Sequence, residues 1–274
     1  MSSTTAKSPN SLKTCEKCKA PYVTKTMPLI GGGKKEYRVP SCKCEDDWID
    51  KQEKERVNNE RRMAYQQKQD ILDGITNNLF LGGDHGRITF EKLERVFFNR
   101  EQIVKVESYL EDLEENLSSG KSFGLLGDAG LGKTALFICL HKELKKRGIT
   151  SALVNVTDYF PKHDAKSSKK KEYDLDRLVN ARVVFFDDMF RSKYTENKRD
   201  LLFRIVDYRY SRKLPNFFAS NILQKDAKLI KEEMLKSFDN DQRMGKPIID
   251  RLFNSRVEII TFVGEHSFRQ RRGR

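Results

Sequence analysis

Phe123-Gly124-Leu125-Leu126-Gly127-Asp128-Ala129-Gly130-Leu131-Gly132-Lys133-Thr134 is the stretch on which the fold of this chain turns. Residues 123–126 are a short apolar run of the kind that fills a buried strand, and residues 133–147 carry the apolar spacing of a helix. Between them, Gly127 to Thr134 matches G-x-x-x-x-G-K-[ST]. Glycines let successive backbone N–H groups curl around β- and γ-phosphates without Cβ clashes, and the following helix N-terminus adds partial positive charge. Lys133 suits neutralisation of phosphate charge, and the Thr134 hydroxyl suits a Mg²⁺ ion. A glycine-rich turn can imitate the pattern by chance. The strand before it and the helix after it favour a nucleotide cradle made of Gly127, Asp128, Ala129, Gly130, Leu131, Gly132, Lys133 and Thr134.

Outward from this loop the same alternation continues. Residues 151–156, 182–186, 216–220 and 256–262 read as further strands, and residues 196–210 and 227–238 as helices. Residues 162–172 read as a polar, Lys-rich excursion. Strands alternating with helices at this spacing predict an α/β fold, a parallel sheet covered by helices. Upstream, residues 89–93 look like an irregular entry and residues 101–117 an amphipathic helix. Residues 48–71, dense in Lys, Arg, Glu and Gln, read as a solvated helical linker, broken by Asp73-Gly74. The expected organisation is therefore a small unit over 1–47, a linker over 48–71 and an ATPase unit over 72–274.

Arg182-Val183-Val184-Phe185-Phe186-Asp187-Asp188 carries two acids to the C-terminal edge of the sheet, where α/β proteins bind ligands. Asp187 is then the residue to hold Mg²⁺, and Asp188 the one to orient or deprotonate an attacking water. Aspartate is one methylene shorter than the glutamate that many ATPases carry there, which points to slow hydrolysis. Two adjacent acids also suit the cap of a following helix. Asn221, directly after the strand at 216–220, could contact the γ-phosphate or the lytic water, although asparagine there is also an ordinary turn residue.

The 274 residues carry a formal net charge of +13. Lys and Arg balance Asp and Glu over residues 1–120, with 20 of each; residues 121–274 carry 33 basic and 20 acidic side chains and supply the whole excess. A basic excess confined to one region suggests a polyanionic partner such as nucleic acid, with general solubility as the alternative. No apolar run is long enough to cross a membrane and residues 1–10 lack the apolar core of a secretory signal, so a cytoplasmic setting is expected. Four of the five cysteines fall in two short pairs, Cys15-x₂-Cys18 and Cys42-x-Cys44. Such pairs suit two knuckles around one tetrahedral Zn²⁺, with Pro28 and Gly31-Gly32-Gly33 suited to a hairpin between them. Cys139 stands alone on the helix after the loop and reads as core.

The motifs in this order resemble the bacterial and phage replicative-helicase loaders of the DnaC/DnaI type, whose ATPase core is shared with the IstB transposition helpers. The resemblance rests on Gly127 to Thr134, Phe185-Phe186-Asp187-Asp188, the stretch from Asp200 to Tyr210, Phe218-Ala219-Ser220-Asn221, Ile249-Asp250-Arg251-Leu252, Ser267-Phe268-Arg269 and, upstream, Ile88-Thr89-Phe90. It implies an AAA+ fold, ATP and Mg²⁺ as ligands, and work on a ring-shaped, DnaB-type helicase beside single-stranded DNA. It also implies roles: Asn221 as sensor 1, Arg251 as an arginine finger that reaches a neighbouring subunit's ATP, Arg269 as sensor 2, and an N-terminal zinc unit that contacts the helicase. A finger acting between chains implies a homo-oligomer or a mixed assembly. Two rival readings are an IstB-like transposition helper, against which the cysteine pairs weigh, and a zinc-dependent DNA-binding adaptor whose loop binds nucleotide without turnover. Two basic stretches are candidate DNA contacts: Lys166, Lys169, Lys170 and Lys171 beside Tyr159, Phe160 and Tyr173, or Arg204, Arg209, Arg212 and Lys213. The first could equally be a mobile surface loop.

Overall fold

The computed structural model describes residues 14–15, 17–28, 34–76, 87–96, 100–224 and 226–263. The chain divides into two compact units, Met1–Ala64 and Tyr65–Arg274. In the first, strands β1 (Tyr22–Pro28) and β2 (Lys34–Pro40) form an antiparallel hairpin, with Tyr22 opposite Pro40 and Lys25 opposite Tyr37. Helix α1 (Cys44–Ile75) begins at the fourth cysteine. The helix runs through Asp73-Gly74 rather than breaking there, and its last turns are not solvated: Gln69, Leu72, Ile75 and the adjoining Thr76 are buried.

That burial has a specific purpose in the larger unit. Strand β4 (Ser151–Asn155) is an edge strand, and an uncovered edge exposes unpaired backbone groups. The Gln69 amide accepts from Ser151 N at 3.0 Å and donates to Ser151 O at 2.9 Å, in effect one rung of a ladder. Thr76 Oγ1 accepts from Leu153 N at 3.2 Å. The C-terminal end of α1 thus covers the edge that the sheet leaves open.

The second unit continues with α2 (Phe90–Val96), α3 (Arg100–Glu111) and α4 (Leu113–Ser119), then β3 (Ser122–Gly127), α5 (Lys133–Lys146) and β4. Next come α6 (Val156–Asp164), α7 (Ser168–Asn180), β5 (Val183–Met189), α8 (Glu196–Ser211) and β6 (Asn216–Ser220). The described chain closes with α9 (Ala227–Lys236), α10 (Gly245–Leu252) and β7 (Val257–Phe262). The five strands form one all-parallel sheet in the order β4-β5-β6-β3-β7. Successive residues of a strand enter opposite cores. Phe186, Phe218 and Leu126 pack on one face, and Phe185, Phe217 and Leu125 on the other. Both faces are covered, which is why these strands read as continuous apolar runs.

The expected excursion at 162–172 is instead taken up by two helices. Asn155 caps α6 by accepting from Asp158 N, and Tyr159 and Phe160 turn inward at 6% and 2% exposure. Lys169 and Lys170 lie on the outer side of α7, which is what gives the stretch its polar composition.

Candidate nucleotide site

All the parallel strands end on one side, and that edge gathers the loop after β3, the two acids of β5 and the asparagine after β6. Gly127 lies at φ 136°, and a Cβ there would sit 2.2 Å from Phe262 O on the paired strand β7. Gly132 takes φ 90° as the N-cap of α5. Only glycine meets the first demand without displacing backbone, and left-handed φ at the second favours it. Folding back over the loop, Lys133 is 6% exposed and spends its three protons internally. Its Nζ donates to Gly127 O and Asp128 O, both at 2.7 Å, and to Asn221 Oδ1 at 3.0 Å. Burial lowers its pKa to about 8, against the pull of Asp187, Asp188 and Asp128.

Across from the lysine, the Thr134 hydroxyl donates to Asp187 Oδ2 at 2.9 Å. Those two oxygens are the pair expected to share a Mg²⁺ ion, and the fold brings them together from helix and strand 53 residues apart. Asp187 is 3% exposed; burial first, and Asp188 second, push its pKa up to about 6. A hard, oxygen-seeking cation fits a buried carboxylate and hydroxyl left in this state.

Asp188 is set by a bulge. Phe186 pairs with Phe218 and Met189 with Ser220, so three steps on β5 match two on β6. A bulge re-aims side chains, and bulges concentrate beside active sites. Here the extra residue takes Asp188 to φ 54°, a left-handed conformation uncommon for a residue with a Cβ. Its Oδ2 accepts from Asn155 Nδ2 at 3.1 Å, with Arg191 Nη1 at 3.4 Å on the exposed side. Sequence reasoning missed Asn155. Its one signal was position: it ends β4, paired in register with Asp187.

Arg251 lies on α10, where its Nε and Nη2 both approach Asp207 Oδ1 at 2.7 Å and its Nη1 donates to Pro247 O at 2.8 Å. It stacks on Phe203 at 5.2 Å. Arg269 lies outside the described residues. Of the candidate DNA contacts, Tyr159 and Phe160 are core and unable to stack bases, whereas Tyr173 is 45% exposed. Lys166 pairs with Asp174, Lys169 and Lys170 are exposed, and Lys171 is half-buried. Arg209 is a correction of a different kind. It is fully buried and donates to Asn216 Oδ1 and to the carbonyls of Leu178, Val179, Ala181 and Pro215. It ties α7, α8 and β6 together and is closed to DNA; Arg204, Arg212 and Lys213 are exposed.

In the N-terminal unit, the Sγ atoms of Cys15, Cys18, Cys42 and Cys44 all lie within 4.8 Å of one another. A tetrahedron with Zn–S of about 2.3 Å has edges of about 3.8 Å, so a small contraction closes it. The backbone N–H groups of Cys18 and Lys17 lower the Cys15 thiol to about 7. Side-chain hydrogen bonding with Cys18 raises Cys42 to about 12 and Cys44 above its ordinary value, as crowding of four thiols at one point entails. Lys19, at φ 61°, donates its N–H to Cys15 O and completes the turn between the first two cysteines. The donor set fits zinc, with no position left for a substrate. Cys139 is buried, as expected.

Comparison with known proteins agrees with this architecture. The replicative helicase loader DnaI of Bacillus subtilis (strain 168) is 25% identical over 171 residues, 61% of this chain and 54% of that protein, so the match spans about half the relative's length. A crystal structure of DnaI aligns over 62% of this chain and 90% of its own with a TM-score of 0.52 and 23% identity. One of the DnaC helicase loader covers 60% and 89%, with a TM-score of 0.49 and 21% identity. The family model described as IstB-like ATP binding protein matches residues 110–274, from α3 through the whole sheet, and the chain belongs to that family.

Proposed function

We propose that this chain is an ATP-driven loader of a ring-shaped replicative helicase onto single-stranded DNA. The observation that carries the reading is the single cluster formed by Lys133, Thr134, Asp187, Asp188 and Asn221 at one sheet edge. It is supported by family membership and by the relative named a replicative helicase loader.

In this reading the backbone of Gly127 to Thr134 wraps the triphosphate, and Lys133 exchanges its hydrogen bond with Asn221 for phosphate oxygens. The freed Asn221 amide then senses the γ-phosphate. Thr134 and Asp187 hold Mg²⁺, which when bound offsets charge on the phosphates. Asp188 orients the lytic water once Asn155 releases it. Arg251 serves a neighbouring subunit's nucleotide, which requires it to leave Asp207, and a homo-oligomer or a mixed ring is the assembly in which it acts. The resemblance assigns Arg269 to the same chain's nucleotide. ATPase turnover by the isolated chain is slow, because Lys133, Asp188 and Arg251 all start engaged with their own chain. Cys15, Cys18, Cys42 and Cys44 hold a structural Zn²⁺, and the first unit is the surface that grips the helicase. A transposition helper is the second reading, because the matching family model is described as IstB-like and the IstB proteins that the sequence resembles are transposition helpers.

The test is a pull-down from host lysate with the intact chain, with and without ATP. Recovery of the replicative helicase with ATP, lost on deletion of residues 1–64 or with Lys133→Ala, is expected. Recovery of a transposase instead of the helicase would overturn the loader reading. No helix among the described residues is long and apolar enough to cross a membrane.

A further inference from the structure

Two residues beyond Asp188 the backbone carries a second outlier. Phe190 takes φ 60°, after Asp188 at φ 54°. A left-handed φ is uncommon for any residue with a Cβ and a genuine outlier for one as bulky as phenylalanine. Such backbone persists only where its surroundings over-determine it, and it gathers at active sites. Here the surroundings can be named. The Phe190 ring is buried against the rings of Tyr194, Phe218 and Phe238, with centroids 6.3, 6.2 and 6.3 Å away. Its side chain cannot swing out to relax the main chain.

Three hydroxyls from three places in the chain fasten the same stretch. Ser220 Oγ, at the end of β6, donates to Met189 O at 2.7 Å. Phe190 N donates to Tyr194 OH at 2.8 Å. Ser237 Oγ, at the C-cap of α9, donates to Phe190 O at 3.1 Å. All three side chains are buried. Tyr194 and Ser237 are joined in turn, because Tyr194 N donates to Ser237 O at 2.7 Å. Strand β5 ends at Met189, so past that point the hydroxyls take over from the sheet ladder. The Asp188 carboxylate is held more loosely, by Asn155 at 3.1 Å and, on the exposed side, by Arg191 at 3.4 Å. Once Asn155 releases it, the main chain and an exposed arginine are left to set its direction.

We propose that Tyr194 and Ser237 are positioning residues for Asp188, a clamp on the strained backbone from which the water-orienting carboxylate projects. This rests on the ATPase reading of Asp188 and adds to it the groups that aim the side chain. Both hydroxyls bond to the main chain of Phe190, so the clamp acts through the chain and not on the nucleotide. Without either bond, less holds Phe190 in its left-handed conformation. Relaxation there moves the Met189 peptide and, through it, Asp188. A shift of about 1 Å in a reacting group can cost about a hundredfold in rate.

The test pairs equilibrium ATP binding with single-turnover hydrolysis of Mg²⁺-ATP, by the intact chain and by Tyr194→Phe, Ser237→Ala and Ser237→Thr. Tyr194→Phe and Ser237→Ala should bind ATP as the wild type does, which shows that the site still folds, yet hydrolyse it about tenfold to a hundredfold more slowly. Ser237→Thr, which keeps the hydroxyl, should recover most of the rate. Added to Asp188→Asn, neither substitution should slow the residual hydrolysis further, since the group being positioned is already gone. Unchanged hydrolysis by both variants, weaker ATP binding that accounts for the slower rate, or the same fold loss in the Asp188→Asn background overturns the clamp. Should Ser237→Ala not fold, Tyr194→Phe decides, because it removes a single oxygen. A wild type that binds ATP without hydrolysing it, or hydrolysis indifferent to Asp188→Asn, would instead overturn the role of Asp188, and the clamp with it. Unchanged ATP affinity in Lys133→Ala would overturn the cradle itself.

Discussion

Replacing Asp187 with asparagine should make the nucleotide-free protein more stable. The carboxyl of Asp187 titrates at about 6 rather than the ordinary 3.8, mainly because it is buried and secondarily because Asp188 is beside it. Below about pH 4 the acid is neutral in both folded and unfolded chains and contributes no difference. Between about 4 and 6 the unfolded chain gives up its proton first, and folding becomes steadily less favourable. Above about 6 the cost is complete. A displacement of about two pH units, at about 1.36 kcal/mol each, amounts to about 3 kcal/mol at neutral pH. Asparagine copies the shape of the neutral acid and keeps an oxygen for the Thr134 hydroxyl, so Asp187→Asn removes this cost with no cavity. For a unit of this size about 3 kcal/mol corresponds to roughly 6–12 °C. Thermal melts of the intact chain, without nucleotide or Mg²⁺, should show the variant higher at about pH 7.5, with the gap closing near pH 4. Saturating Mg²⁺-ATP should narrow or reverse it, because only the wild type gains full binding stabilisation. A variant that melts below the wild type at about pH 7.5, or a gap independent of pH, refutes the reasoning.

Other expectations follow from neighbouring groups. Lys133 loses its proton above about pH 8 in the free protein, and bound phosphate should restore it, so ATP affinity should fall by up to about tenfold per pH unit above 8; calorimetry in buffers of different ionisation enthalpy should detect the proton uptake. Arg209→Lys keeps the charge but cannot reach all the acceptors that the guanidinium joins, and should cost about 3–5 kcal/mol, read from denaturant melts. Unchanged stability with weaker DNA binding would return that side chain to the surface role first expected. Removing zinc with a strong chelator should unfold the first unit while the second melts unchanged, and metal analysis should find one zinc per chain.

How legible the molecule was depends on the range over which each feature is encoded. The loop from Gly127 to Thr134 is local, since its conformation and chemistry are both carried by adjacent residues. The strands were legible because burial on both faces leaves no polar alternation to interpret. Asn155 and Gln102 were not, because each acts on a residue far along the chain. Asn155 is a strand-end amide until the sheet sets it beside Asp188, and Gln102 an ordinary helical glutamine until its amide donates to the Thr261 carbonyl of β7. Composition also misled. Lysines around 162–171 and the internal Pro161 concealed α6, although Tyr159, Phe160 and His163 have helical spacing and are buried. Arg209 sits in a basic stretch that suggests surface, yet the carbonyls at the end of α7 and before β6 need a buried donor.

Within the second unit, the side chains proposed to act on nucleotide are already engaged with their own chain. Lys133 is held by two loop carbonyls and Asn221, Thr134 by Asp187, Asp188 by Asn155, and Arg251 by Asp207. Ligand binding therefore swaps one hydrogen bond for another rather than filling empty places, and a swap between similar bonds yields little net free energy. Nucleotide alone can offset the swaps at Lys133 and Thr134, because phosphate and cation bring full charges to them. It offers nothing in place of Asp207 to the Arg251 of the same chain, which under the proposed function acts on the nucleotide of a neighbour. Asp207→Asn should then raise turnover in the assembled state while leaving ATP affinity of the isolated chain unchanged, and a fall in assembled turnover to the level of Arg251→Ala would show that Asp207 positions the arginine for catalysis instead of withholding it.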